Sequence, residues 1–256
     1  MGVMAKIAVS LLFLALCVGG MGRAQSVTGS ETQSSDAEAI ANSLATMLQA
    51  ARSVISDSQP LINDPSLGNK GLTGKVVLER TLQAYRAATG SDPLAGDPES
   101  RAVHLLRDQM DAIVEVVDAN QETLNAEGTA FKGFIPAVFA RLVNEAFARR
   151  AGDEARVKVT APMDLVRNRK ALPDAFEESV IRDKFLAAGW KRGQPYEAVV
   201  EGARGPEFRM QVPEYYTTSC LTCHGSPKGS LDITGYPREG GSAGDLGGVI
   251  SITVAR

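Results

Sequence analysis

Cysteine and histidine are scarce in this chain, with three and two respectively in 256 residues. Cys17 lies in an apolar N-terminal run, so only Cys220 and Cys223 are left outside it, and two neighbouring cysteines build no disulfide framework. Zinc needs four ligands, and Cys220, Cys223, His224 and His104 barely complete one site. Long hydrophobic runs are also missing. The longest, residues 7–18, falls short of the ~20 residues a spanning helix needs. No sign of charge dominates, the formal net charge being −3. A mildly acidic surface argues against nucleic acid or anionic lipid as the main partner. No carboxylate pair is spaced for glycoside hydrolysis, and there is no internal repeat.

Residues 1–24 read as a secretory signal peptide. Lys6 supplies the positive start, residues 7–18 the apolar core, and Gly22-Arg23-Ala24 a small-x-small cleavage site. Leu16 is too large for the residue before a lipoprotein cysteine, which leaves Cys17 in the discarded leader. Cleavage implies an exported, periplasmic protein with no stable membrane span. It also removes Lys6 and Arg23 but no acid, so the mature chain is more negative. The remainder is long enough for one domain with a substantial core. Residues 25–35, rich in Ser, Thr, Gly and Gln, are expected as a flexible leader to a single domain over 36–256.

The chemistry concentrates in Cys220-Leu221-Thr222-Cys223-His224. C-x-x-C-H is the attachment sequence of a c-type haem. Cysteines three apart share one side of a helical turn and can form thioethers to the two vinyl groups of one porphyrin, with His224 as proximal iron ligand. Two other readings of the cysteines stay open. A redox dithiol usually follows a strand in a βαβ unit, which does not precede Cys220. The other is the zinc site.

Periodicity organises the rest. Ile40, Leu44, Met47, Ala51 and Val54 form one helical stripe, and Val103, Leu106, Met110, Ile113, Val117 and Leu124 another, interrupted at Asn120. Two such helices can pack together, within a chain or in a homodimer. Residues 76–88 read as helix. Residues 131–150 do too, with Pro136 in the first turn and Phe134, Val138, Leu142, Val143, Ala146 and Phe147 facing inward. Residues 156–160 alternate as a strand, and Asp174 caps a helix reaching to about residue 187. Residues 196–201 and 207–212 form a hairpin, and 249–254 a final strand. Trp190 and Phe185 are expected in the core. The result is an α+β fold: an antiparallel sheet, a helical N-terminal half and a haem-bearing C-terminal segment. No methionine follows His224, which excludes the commonest small electron-carrier cytochromes. The 32 residues after it are more than a helical-bundle cytochrome carries.

Several blocks in order carry a resemblance. They are Phe131-Lys132-Gly133-Phe134-Ile135-Pro136, Val166-Arg167-Asn168-Arg169 followed by Pro173-Asp174 and Glu177, Pro213-Glu214-Tyr215-Tyr216 leading into the cysteines, and Gly244-Asp245-Leu246-Gly247-Gly248. Over residues 35–254 the chain resembles the c-type haem-binding family of periplasmic sensor domains with a PAS-like fold. The resemblance implies a PAS-like antiparallel sheet and covalent haem, in domains that often sit outside the membrane ahead of a signalling module. No membrane helix or output region follows residue 24, so a signal is expected to pass to a separate partner. Some relatives have a cysteine in the helical half that could reach the iron. None remains here.

Candidate sites follow. Cys220 and Cys223 hold one haem c, and His224 binds its iron. His104 is the only other histidine and a candidate distal ligand, which would give a low-spin, low-potential haem. Met110, Met163 and Met210 could bind iron, but core spacing favours packing. Arg167, Arg169, Lys170, Arg209, Tyr215 and Tyr216 are candidate propionate or pocket contacts. A haem enzyme such as a peroxidase needs a distal acid–base pair, for which the sequence offers little, so no catalytic residue is expected. The expected function is sensing of redox state or a diatomic gas. The alternative is an electron-transfer cytochrome with a redox partner protein.

Overall fold

The computed structural model describes residues 26–256; the expected signal peptide, residues 1–24, lies outside them. Helices come first: α1 Ser26–Asp57, α2 Gln59–Ile62, α3 Gly74–Thr89, α4 Arg101–Ala119, α5 Gln121–Asn125 and α6 Pro136–Ala151. Strand β1 Ala155–Thr160 follows, then two 3-10 turns, then α7 Ala175–Val180 running into a π turn, Ile181–Phe185. Next are β2 Tyr196–Gly202, β3 Gly205–Tyr215, α8 Leu221–His224 and β4 Leu246–Ala255. The four strands form one antiparallel sheet in the order β1-β4-β3-β2. This is the expected α+β architecture.

Register puts one apolar face of the sheet against the helices. Phe208 pairs with Val254, Met210 with Ile252 and Val212 with Ile250, while Val157 and Val159 of β1 pair with Ile252 and Ile250 from the other side. These meet Leu44, Met47 and Leu48 of α1, Ile113 of α4, and Phe139, Val143 and Phe147 of α6, all fully buried. Each such side chain contributes about 1.5–3 kcal/mol by leaving water. The α1 and α4 stripes are thus spent inside one chain, and a homodimer through the N-terminal helices would need other surface. Met110 and Met210 belong to this core too, so both serve packing.

Several boundaries differ from expectation. Helix α1 starts at Ser26, taking in most of the segment expected as a flexible leader. Once a helix is nucleated, Ser, Thr and Gln cost only tenths of a kcal/mol each to add, roughly. Helix α6 starts at Pro136, where the missing N–H costs nothing, and residues 131–135 precede it as loop. Asn120 ends the second stripe because its side chain bonds back to the Val116 carbonyl, and Leu124 falls in the separate α5. Strand β3 runs three residues further than alternation indicates, to Tyr215, with a bulge between Glu214 and Tyr215.

The opposite face of the sheet carries a smaller cluster of Val180, Ile181, Phe185, Leu246 and Val249, packed by Phe176, Trp190, Tyr196 and Tyr215. Asp174 and Glu177 form a reciprocal capping box that starts α7. The same carboxylates hold Arg209 of β3, and Glu177 takes Lys158 of β1, which fastens α7 across the sheet.

Candidate functional site

β3 leads directly into the site. After Tyr215 the chain makes a 3-10 turn, Thr218–Cys220, that continues into α8. The Thr217 hydroxyl and backbone N–H both reach the Cys220 sulfur, at 3.3 and 3.4 Å. Cys220 and Cys223 therefore sit one helical turn apart, both half-buried and both free thiols. Burial pushes the Cys223 thiol up, and the Asp232 carboxylate pushes it the same way. Reactive dithiols need a lowered value instead.

His224 ends α8, and its imidazole is held from one side. Nδ1 lies 2.9 Å from Glu239 Oε2 and 3.3 Å from the Tyr216 hydroxyl. The Tyr216 ring stacks on the imidazole at 4.9 Å between centroids. An Nδ1–H donated to the carboxylate leaves Nε2 as the free lone pair. A metal-binding histidine is commonly oriented in this way, by a carboxylate on its other nitrogen.

Arg167 ties the site together. Its guanidinium donates from Nε and NH2 to the two oxygens of Glu239 at 2.8 and 3.1 Å, from NH1 to Asp232 at 2.6 Å, and from NH2 to the Cys223 carbonyl at 2.9 Å. Four of its five N–H donors are committed to the protein, so a propionate would compete with two carboxylates for them. Asp232 is fully buried and also accepts from the Thr234 hydroxyl and the N–H groups of Thr234 and Tyr236. Burial opposes ionisation of Glu239, yet the Arg167 and His224 bonds hold its carboxyl below the usual range. Burial pushes the Tyr216 hydroxyl up to about 12, so it stays protonated.

Two glycines make room for Tyr216. A Cβ on Gly247 would lie 2.2 Å from the ring, and one on Gly241 2.8 Å from it. Backbone bonds close the same corner: Tyr216 N–H to the Asp245 carbonyl, Gly244 N–H to the Tyr216 carbonyl and Gly241 N–H to the His224 carbonyl.

The other candidates are distributed unevenly. Tyr215 packs beside the site under the Arg192 guanidinium, 4.0 Å from its ring, and accepts the Gly193 N–H. Arg169 is exposed in a 3-10 turn, Lys170 pairs with Glu145, and Arg209 is committed to α7. His104 does not reach the site. It is exposed, one turn from Arg101, and Arg101 binds the Ala255 carbonyl at the far end of β4, whereas the site adjoins Leu246 at the near end. Ten residues of strand separate those ends by roughly 30 Å. Its place at the start of the second stripe, beside the apolar seam, was legible, but not which end of the sheet that stripe would meet. Within one chain His104 therefore lies at the opposite end of the sheet from Cys220, Cys223 and His224. Among the described residues no cluster of three or more His, Cys, Asp or Glu side chains is arranged to hold a metal ion.

The residues fit a covalently held haem better than either alternative. Two part-exposed thiols lie one turn apart, and an oriented imidazole keeps Nε2 free. Leu231 and Ile233, either side of Asp232 in the chain, are 68% and 62% exposed. Fold and site together define an α+β protein organised around a Cys-x-x-Cys-His turn braced by a carboxylate–guanidinium network. Residues 30–255 match the family model described as Tll0287-like, and the chain belongs to the Tll0287-like family. No curated protein and no solved structure matches it.

Proposed function

We propose that this is an exported, periplasmic monohaem protein. It holds one haem c through Cys220 and Cys223, with His224 as proximal ligand, on a PAS-like sheet. It senses redox state or a small gas ligand and passes the change to a separate partner protein. The observation that carries this reading is the fixed imidazole of His224, with Nδ1 engaged and Nε2 free, at the end of the short helix that holds Cys223 and is entered directly from Cys220. The haem supplies a one-electron couple and an iron that can take a diatomic gas. The chain orients the proximal imidazole, keeps the thiols one turn apart and shields the Arg167 network from water. A monohaem electron carrier is the second reading, favoured by the exposed apolar Leu231 and Ile233 and the half-exposed Tyr236 in the segment that follows His224.

The test is maturation in a bacterial periplasm able to attach haem, followed by denaturing electrophoresis and haem staining. Wild type is expected to keep the stain, and Cys220→Ala with Cys223→Ala to lose it completely. Stain retained by the double variant overturns the proposal. A carbon monoxide shift in the reduced spectrum supports gas sensing, and a low-spin spectrum blind to the gas supports redox sensing or electron transfer.

A further inference from the structure

Nothing in the attachment motif requires a charged group behind the histidine, yet the protein places one there. The chain after α8 folds back on itself: Gly229 N–H binds the Arg238 carbonyl, Arg238 N–H the Ser230 carbonyl, and Gly241 N–H returns to the His224 carbonyl at 2.8 Å. That last bond fixes Glu239, two residues earlier, in register with the imidazole. Gly240 takes a left-handed φ of 81° to make the turn. Glu239 Oε1 accepts Arg167 Nε at 2.8 Å, which fixes the carboxylate plane, while Oε2 accepts Arg167 NH2 at 3.1 Å and faces His224 Nδ1 at 2.9 Å. An ionised carboxylate has about four acceptor positions, so Oε2 serves both donors. The other group near Nδ1, the Tyr216 hydroxyl, is farther away at 3.3 Å and uncharged. A charged acceptor makes the stronger bond.

Resting on the haem reading above, we infer that Glu239 is a positioning residue that makes His224 a more strongly donating proximal ligand and shifts the haem iron toward its oxidised state. A carboxylate on Nδ1–H gives the imidazole imidazolate character and raises its basicity. Greater donation stabilises ferric over ferrous iron and lowers the reduction potential, hydrogen bonding behind the ligand being one of the protein's levers on a haem. Arg167 limits the effect by sharing the charge.

The experiment compares matured holoprotein of wild type, Glu239→Gln and Glu239→Asp by spectroelectrochemical titration and by resonance Raman of the ferrous carbon monoxide photoproduct. Glu239→Gln keeps an acceptor and loses the charge. It should raise the midpoint potential and lower the iron–histidine stretching frequency. Glu239→Asp keeps the charge but withdraws it by one methylene, and should move both readouts the same way by less. It also tests the idea if the Gln variant fails to fold. A purely structural role would change stability and leave the stretch in place, so haem-loaded variants with unmoved potential and stretch overturn the inference. Absence of attached haem in wild type would instead overturn the functional proposal.

Discussion

Gly247→Ala is the sharpest probe of how the histidine is held. Gly247 lies in β4, and the added methyl would stand 2.2 Å from Tyr216 Cε1, 2.4 Å from Cδ1 and 2.9 Å from Cζ. Tyr216 is only 8% exposed and stacks on His224, while Gly241 closes the opposite edge of its ring. The ring cannot slide away without leaving the imidazole. Overpacking of this kind costs about 1–3 kcal/mol, and losing the ring stack adds about 0.5–1.5 kcal/mol. Replacing glycine by alanine returns about 0.4–1 kcal/mol through the unfolded chain. The expected net loss is about 1–3 kcal/mol, read as a lower urea midpoint at unchanged slope. At this chain length each kcal/mol is about 2–4 °C of melting temperature. The clash hypothesis makes a second demand: in a Tyr216→Ala background the same substitution should cost nothing, giving a coupling term of 0.5 kcal/mol or more, roughly. A Gly247→Ala protein as stable as wild type, or equal losses in both backgrounds, would refute the reasoning.

Two further outcomes are expected. His104→Ala should leave the absorbance spectrum of the matured protein unchanged in both oxidation states, and a low-spin to high-spin conversion would show that the histidine reaches the iron after all. Asp232→Asn should destabilise the protein at neutral pH and flatten its acid limb. Burial opposes ionisation of Asp232, but the bonds from Thr234, Arg167 and Tyr236 outweigh it and hold the carboxyl well below the usual range. A lowered folded value means the stabilisation is complete above the ordinary aspartate value near ~3.9 and fades as pH falls below it. The gap between variant and wild type in chemical denaturation should therefore narrow below about pH 4, and a gap independent of pH would count against this account.

Periodicity made the helical half legible because its buried faces are continuous. Ile40, Leu44, Met47, Ala51 and Val54 are all buried as their spacing requires. The hairpin and last strand were legible for the same reason, since Phe208, Met210, Ile250, Ile252 and Val254 alternate onto one face. The inward face of α6 was less so: Val138 and Leu142 are half-buried, while Phe139 and Ala140 join Val143, Ala146 and Phe147 on the buried face. In the site, Arg167 could be singled out by its charge but not by its partners. Asp232 and Glu239 carried no signal at all. They are ordinary acids in a Gly/Pro-rich loop, and what makes them functional is a fold-back that no local pattern encodes.

That fold-back also explains why a five-residue motif is insufficient by itself. α8 has four residues, far below the ~12–15 at which an isolated helix becomes even marginally stable. The Cys-x-x-Cys-His turn must therefore borrow its order from elsewhere, and the structure shows where. β3 delivers Tyr216, whose N–H and carbonyl bond Asp245 and Gly244 just ahead of β4, and the His224 carbonyl is taken by Gly241. At the same end of β3, Arg52 of α1 pairs with Glu214, joining the long N-terminal helix to the strand that carries the site. Tyr216, which stacks on the imidazole, and Glu214, which takes Arg52, thus anchor the site and α1 to the same end of β3.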